Sequence, residues 1–141
     1  MATTVQWRKL KVEEFLEIDF GSDRKFELVD EAIYAMGGGS AAHARVQGNI
    51  YAFLHAALRG TSCRPYGPDM GLRTMAHTLR YPDVTVYCGS PGENEMPRAL
   101  LLSDPRVVIE VLSPNTRAFD ESRKLEEYQS LPSVETVSRR S

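Results

Sequence analysis

The strongest constraint on this chain is a carboxylate set inside an apolar strand. Val107-Val108-Ile109-Glu110-Val111-Leu112 reads as a buried β-strand at every position but one. An ionised carboxylate is costly there unless a cation, a metal ion or hydrogen bonds hold it. Side chains alternate along a strand, so Val108, Glu110 and Leu112 share a face. Either Glu110 lies near the strand end and reaches solvent or a salt bridge, or the fold keeps it for chemistry.

A second acid strengthens the chemical reading. Asp83 follows Pro82 and opens the β-rich run Val84 to Cys88. Proline is tolerated at a strand start, where a missing N–H donor does no harm. Asp83 taken alone is a turn or capping residue. Two carboxylates on neighbouring strand ends, however, suit a hard cation such as Mg2+, which prefers oxygen ligands. Lys124 supplies a third element. Glu121, Lys124, Leu125 and Tyr128 recur at helical spacing, so a helix over about 117–131 carries Lys124 at the margin of its sheet-facing side. An ammonium there can orient a water or stabilise charge building on a phosphate. A snorkelling or ion-paired lysine is the plain alternative.

The rest of the chain frames these residues. Lys11 to Ile18 reads as a short helix, and Phe26 to Met36 as a hairpin turning at Asp30-Glu31. A Gly37–Ser40 loop follows, with Ser40 as N-cap of a long helix from Ala41 to Leu58. Cys63 to Leu72 is extended, Gly89 to Pro97 is a polar loop, Ser113 to Thr116 turns the chain, and Thr136 to Ser141 is a polar tail expected to fray. The order predicts an α/β (α+β) domain with a central mixed β-sheet flanked by helices. The 141 residues suit one domain, spanning 1–141, and 42% hydrophobic with 26% charged residues excludes wholesale disorder. A net charge of −2 argues against binding nucleic acid by bulk charge, though not against a nuclease whose cations meet the phosphate. Cys63 and Cys88 lie in no metal-ligand pattern and are expected as separate reduced thiols in a cytoplasmic setting. No apolar run is long enough for a membrane span.

Taken together, Tyr81-Pro82-Asp83-Val84, Val108 through Thr116, Asp120 through Lys124-Leu125 to Tyr128, and Leu131-Pro132-Ser133 resemble the Uma-two family. That family belongs to the restriction-endonuclease-like PD-(D/E)xK superfamily. Phe26-Glu27-Leu28-Val29-Asp30 and the helix from His43 to Leu54 extend the resemblance over about residues 10 to 135. It implies a restriction-endonuclease-like core and metal-dependent endonuclease chemistry on DNA. Asp83 matches the motif aspartate and Glu110 the second acid. Leu112 stands where the standard pattern has lysine, and Lys124 matches the family's replacement from the following helix. Glu27 matches a recurrent glutamate near the site, which implies a fourth catalytic residue, although by its position alone it is an exposed hairpin residue. His43 matches a family position too and is expected to be structural or capping.

The expected mechanism has Asp83, Glu110 and the Val111 carbonyl holding Mg2+, with Mn2+ as a substitute, and Lys124 beside the attacked phosphate. Arg80, Arg117 and Arg123 are candidates for DNA backbone contacts. A homodimer is expected, with no organic cofactor and no membrane partner. Two departures stand out. The hairpin turn Asp30-Glu31-Ala32 lacks the family's glycine, and the residues from Val134 to Ser141 are polar and basic where the family has further strands. The expectation is a C-terminally truncated member with strands missing. The rival readings are a non-catalytic DNA-binding or oligomerising module and a decayed mobile-element remnant.

Overall fold

In the computed structural model, α1 (Val12–Leu16) leads into a hairpin of β1 (Phe26–Val29) and β2 (Ala32–Ala35). Then come α2 (Ala41–Ala57), β3 (Cys63–Tyr66), β4 (Leu72–Met75), β5 (Thr78–Arg80) and β6 (Val84–Cys88). After β7 (Val107–Val111), α3 (Ala118–Gln129) crosses over to β8 (Thr136–Arg140). The structure describes residues 10–21, 25–37, 39–89, 99–112 and 118–140. The Gly89–Pro97 loop beyond its first residue, the Ser113–Thr116 turn and Arg117 lie outside these.

The single sheet expected from the sequence is divided into two four-stranded sheets, in the orders β2-β1-β5-β4 and β3-β6-β7-β8. The first is antiparallel throughout. The second is mixed, because β7 and β8 run parallel. Parallel neighbours need a crossover connection, and α3 provides it. The segment Thr136–Arg140, expected to fray, is therefore a paired strand, with Glu110 opposite Arg139 and Val111 opposite Arg140.

Two apolar clusters hold these layers. Val12 and Phe15 of α1 pack on Leu28 and Leu79, which face each other across β1 and β5. Leu72, Val108 and Tyr128 form the second cluster, closed by Leu131, Val134 and Val137, so that α3 seals β7, β8 and β4 together. Gly71 lets the 100–102 segment pair beside β4. A Cβ at this position would lie 3.0 Å from the Leu100 carbonyl oxygen, which accepts from the Gly71 N–H.

The β1–β2 turn falls at Asp30-Glu31 as expected. Both residues have positive φ, 49° and 73°, the arrangement of a primed hairpin turn. Aspartate tolerates this region and glutamate does so poorly, so the absent glycine leaves local strain. The helix α2 starts as expected, with Ser40 Oγ accepting from the His43 N–H at 3.1 Å.

The expectation for the cysteines is corrected. Cys63 and Cys88 stand directly opposite each other in the antiparallel β3–β6 pair and are joined as a disulfide. Sequence spacing gave no hint of this, because the strand register alone brings the two together. The inference of a reducing compartment from unpaired thiols loses its premise. Among the described residues, no helix is long and apolar enough to cross a membrane.

The bond closes a loop across a sequence separation of 25 residues. Chain-entropy arguments give such a closure about 3 kcal/mol. Urea unfolding with and without dithiothreitol should therefore differ by about that amount. Equal midpoints, or two titratable thiols in the folded protein, would refute the pairing.

Candidate active site

The start of β6 lies beside the end of β7, since Val84 pairs with Ile109. This register brings Asp83 against Glu110 and Val111. The Asp83 N–H donates to Glu110 Oε1 at 3.0 Å, and the Val111 N–H donates to Asp83 Oδ2 at 2.7 Å. Each acid is thus fixed by the other strand's backbone or side chain, and both carboxylates are largely buried. Lys124 reaches the pair from α3, with Nζ 3.4 Å from Glu110 Oε2 and 3.5 Å from Asp120 Oδ2. The three residues expected to converge do converge.

Behind them lies a buried ionic network that the sequence reading missed. Arg80 is fully buried. Its Nε and Nη2 donate to the two Glu127 oxygens at 3.0 and 2.8 Å, a forked pairing. Its Nη1 donates to Glu27 Oε1 at 3.1 Å and to Asp120 Oδ1 at 3.4 Å. Thr74 Oγ1 donates to Glu127 Oε1 at 2.7 Å. Register explains the Glu27 contact, because Leu28 pairs with Leu79 in the antiparallel β1–β5 pair and so sets Glu27 beside Arg80. Arg123 closes the outer end by pairing with Glu127 and Asp30.

One earlier assignment is corrected here, and one plain alternative falls. Arg80 cannot touch a DNA backbone, because no part of it is exposed and carboxylates occupy its donors. Glu27 is not an exposed hairpin residue. Its side chain is 12% exposed, and its second oxygen, Oε2, is buried without a hydrogen-bond partner. Arg123 is part-buried and engaged, and Arg117 lies outside the described residues. The Tyr128 hydroxyl is also buried and unpartnered.

The electrostatics follow from this crowding. Burial raises the Glu110 pKa to about 7; Lys124 and the Asp83 N–H act against that, and the Asp83 carboxylate adds to it. Burial also opposes the Lys124 ammonium, but Glu110, Glu27 and Asp120 outweigh it and raise the pKa. For Arg80, burial is again overcome, here by Glu127, Glu27 and Asp120. Glu127 is held below the ordinary carboxylate range because its hydrogen bonds to Arg80 and Thr74 overcome burial. Among the described residues, Glu110, Glu27, Asp120 and Glu127 pair with Arg80 and Lys124 as inner cations, Asp83 lies beside Glu110 and His43, and Arg123 and Asp30 add one charge of each sign outside. Negative charge is in excess.

His43 is the other residue that gains importance. Its Nε2 lies 3.3 Å from Asp83 Oδ1, so it reaches the site as well as opening a helix. Gln47, one turn later, was not singled out, although its spacing from His43 was a usable signal.

Two outcomes test this geometry. Arg80→Met leaves buried carboxylates without their cation and should cost about 3–5 kcal/mol in chemical denaturation. A loss below 1 kcal/mol would contradict the network. For Glu110 the folded pKa is raised, so the folded state binds its proton more tightly than the unfolded state. Stability is then lost as pH rises from about 4.5 to about 7. Metal-free Glu110→Gln should lack this loss, gaining of order 3 kcal/mol relative to the unsubstituted protein over that window. Parallel pH profiles would contradict the shift.

Comparison with known proteins fits this arrangement. The Uma2 family profile, described as "Putative restriction endonuclease", matches residues 12–138. Two proteins of Synechocystis sp. (strain PCC 6803) are similar. "Uncharacterized protein slr1290" is 33% identical over 129 residues, covering 90% of this chain and 66% of its own length. "Uncharacterized protein sll1609" is 25% identical over 127 residues, covering 89% and 71%. The chain thus spans about two thirds of the length of these relatives. The fold resembles the crystal structure of "a putative nuclease belonging to DUF820" from Anabaena variabilis, with a TM-score of 0.66 and 18% identity over 85% of this chain and 68% of that one. With nine tenths of its length matched by one family and a nuclease-like fold around the clustered acids, this chain belongs to the Uma2 family of restriction-endonuclease-like proteins.

Proposed function

We propose that this chain is a metal-dependent nuclease that hydrolyses DNA phosphodiester bonds. One observation carries the reading: Asp83 and Glu110 are locked side by side at adjoining strand ends, with the Lys124 ammonium 3.4 Å from Glu110.

The residues fit a hard divalent cation. Among the described residues, no group of three or more His, Cys, Asp or Glu side chains is arranged to hold a metal ion by itself. Mg2+ does not require such a cage, since it keeps several waters and binds through one or two carboxylates plus substrate phosphate. Each carboxylate offers about four acceptor sites, so the present hydrogen bonds leave Asp83 and Glu110 free to take more. The excess negative charge and the unpartnered Glu27 Oε2 also favour a cation. Asp83, Glu110 and the Val111 carbonyl would hold it, and Mn2+ could replace it. Bound there, it would lower the pKa of a water and neutralise phosphate oxygens.

The chain's own groups do the remaining work. Glu110 and Asp83 fix the reacting centre at the rim of the β6–β7 pair. Lys124, held between Glu110 and Asp120, orients the attacking water or stabilises negative charge on the phosphate as attack proceeds. A water oxygen loses a proton to solvent as it bonds to phosphorus, the ester P–O bond breaks, and the departing oxygen takes a proton from solvent. Arg80 keeps Glu27 and Asp120 in place and stays away from substrate.

A second reading, a nuclease-like module that binds DNA without cutting it, draws on one feature. All four oxygens of Asp83 and Glu110 already lie within reach of a protein donor. Purified protein with supercoiled plasmid and Mg2+ or Mn2+ separates the two. Cation-dependent nicking is expected, falling at least 100-fold in Asp83→Asn and Glu110→Gln and substantially in Lys124→Ala. Cation-independent DNA retention without nicking would favour the module instead.

A further inference from the structure

The helix α2 has 17 residues, none of them buried, so its hold on the sheet is unusual for so long an element. Apolar contact through Val46, Ile50 and Leu54 is only partial, and Phe53 is 71% exposed. Among the described residues, two polar contacts join α2 to the site, and both go to one residue. His43 Nε2 lies 3.3 Å from Asp83 Oδ1. Gln47 Nε2 donates to the Asp83 carbonyl oxygen at 3.4 Å. Residues four apart share a helix face, so the two side chains approach Asp83 together.

The loop before the helix is shaped to keep His43 there. Ser40 caps α2 by accepting the His43 N–H, which fixes the first turn. Gly39 lies against the imidazole, and a Cβ added there would come within 2.7 Å of His43 Nδ1. On the other side of Asp83, the Val111 N–H already takes Oδ2. The carboxylate is therefore bracketed, with one oxygen for the β7 backbone and the other for α2.

We propose that His43 and Gln47 are positioning residues that aim the Asp83 carboxylate, His43 by donating its Nε2–H to Oδ1 and Gln47 by fixing the main chain behind it. The inference rests on reading Asp83 as a cation-binding residue. It gives α2 a role that its poor burial does not explain. Donors behind a metal-binding carboxylate lock its orientation, and removing one typically costs 10–100-fold in metal affinity. His43 is thus assigned to orient Asp83, not to bind the cation itself.

The test uses Mn2+ alone as probe, on the 141-residue chain, with its fold checked by circular dichroism and unfolding midpoint. Titration calorimetry should show His43→Ala and Gly39→Ala weakening Mn2+ binding about tenfold or more. His43→Gln, whose amide N–H reaches about as far as Nε2, should restore most of the loss, and Gln47→Leu should show a smaller one. Pulsed electron paramagnetic resonance of bound Mn2+ should show no directly coordinated imidazole nitrogen. In metal-free protein, 15N resonances should report the Nε2–H tautomer of His43 and shift in Asp83→Asn. Unchanged Mn2+ affinity in His43→Ala, a directly bound imidazole nitrogen, or a His43 tautomer indifferent to Asp83→Asn would each overturn the proposal. If the unsubstituted protein binds no Mn2+, the cation reading itself fails, and the metal-free resonances still decide whether the clasp exists.

Discussion

The burial of Arg80 is the constraint on which the rest of the structure depends. A guanidinium without solvent needs anions at several of its donors, and it finds them on β1 and at two places on α3. That requirement ties the first sheet to the crossover helix. Asp120 then passes the connection to Lys124, Lys124 to Glu110, and Glu110 to Asp83. A single line of ion pairs, closed by a backbone hydrogen bond between the two acids, thus runs from the interior of one sheet to the rim of the other. The acids at that rim are set by the same packing that places Tyr128 over Val108.

The line also explains why the site can tolerate carboxylates so deep in the fold. Each anion has a donor within reach, yet the donors do not balance the charge. Burial, with the Asp83 carboxylate adding to it, raises the Glu110 pKa to about 7, so in the absence of a cation this acid gains and loses a proton near neutral pH. A group poised in this way releases its proton when positive charge arrives, so cation binding and proton release are coupled at one residue.

Much of the site was legible because chemistry interrupts pattern. Glu110 broke an apolar strand, Asp83 opened another, and the spacing of Lys124 from Tyr128 put both toward the sheet. What the sequence hid were matters of register and company. The β4–β5 hairpin turns at Ala76-His77, which carries no glycine or asparagine to announce it. The Cys63–Cys88 pairing depends on which rungs of β3 and β6 face each other. Arg80 reads as a surface charge until Leu28 and Leu79 are known to be partners, and only then does Glu27 come alongside. The strand β8 is polar enough to pass for a loose end, and it is paired because a parallel neighbour, β7, offers it a ladder of backbone groups.

The hydrogen bond from the Val111 N–H to the Asp83 carboxylate has a kinetic corollary. Its two ends are 28 residues apart in the chain, and Arg80 and Glu127 are separated by 47. Contacts this remote form only once the chain between them has closed into loops. A partly folded copy emerging from synthesis would therefore carry its acids scattered, and on the proposed function it would be harmless to the genome that encodes it until the last rungs of β6 and β7 meet.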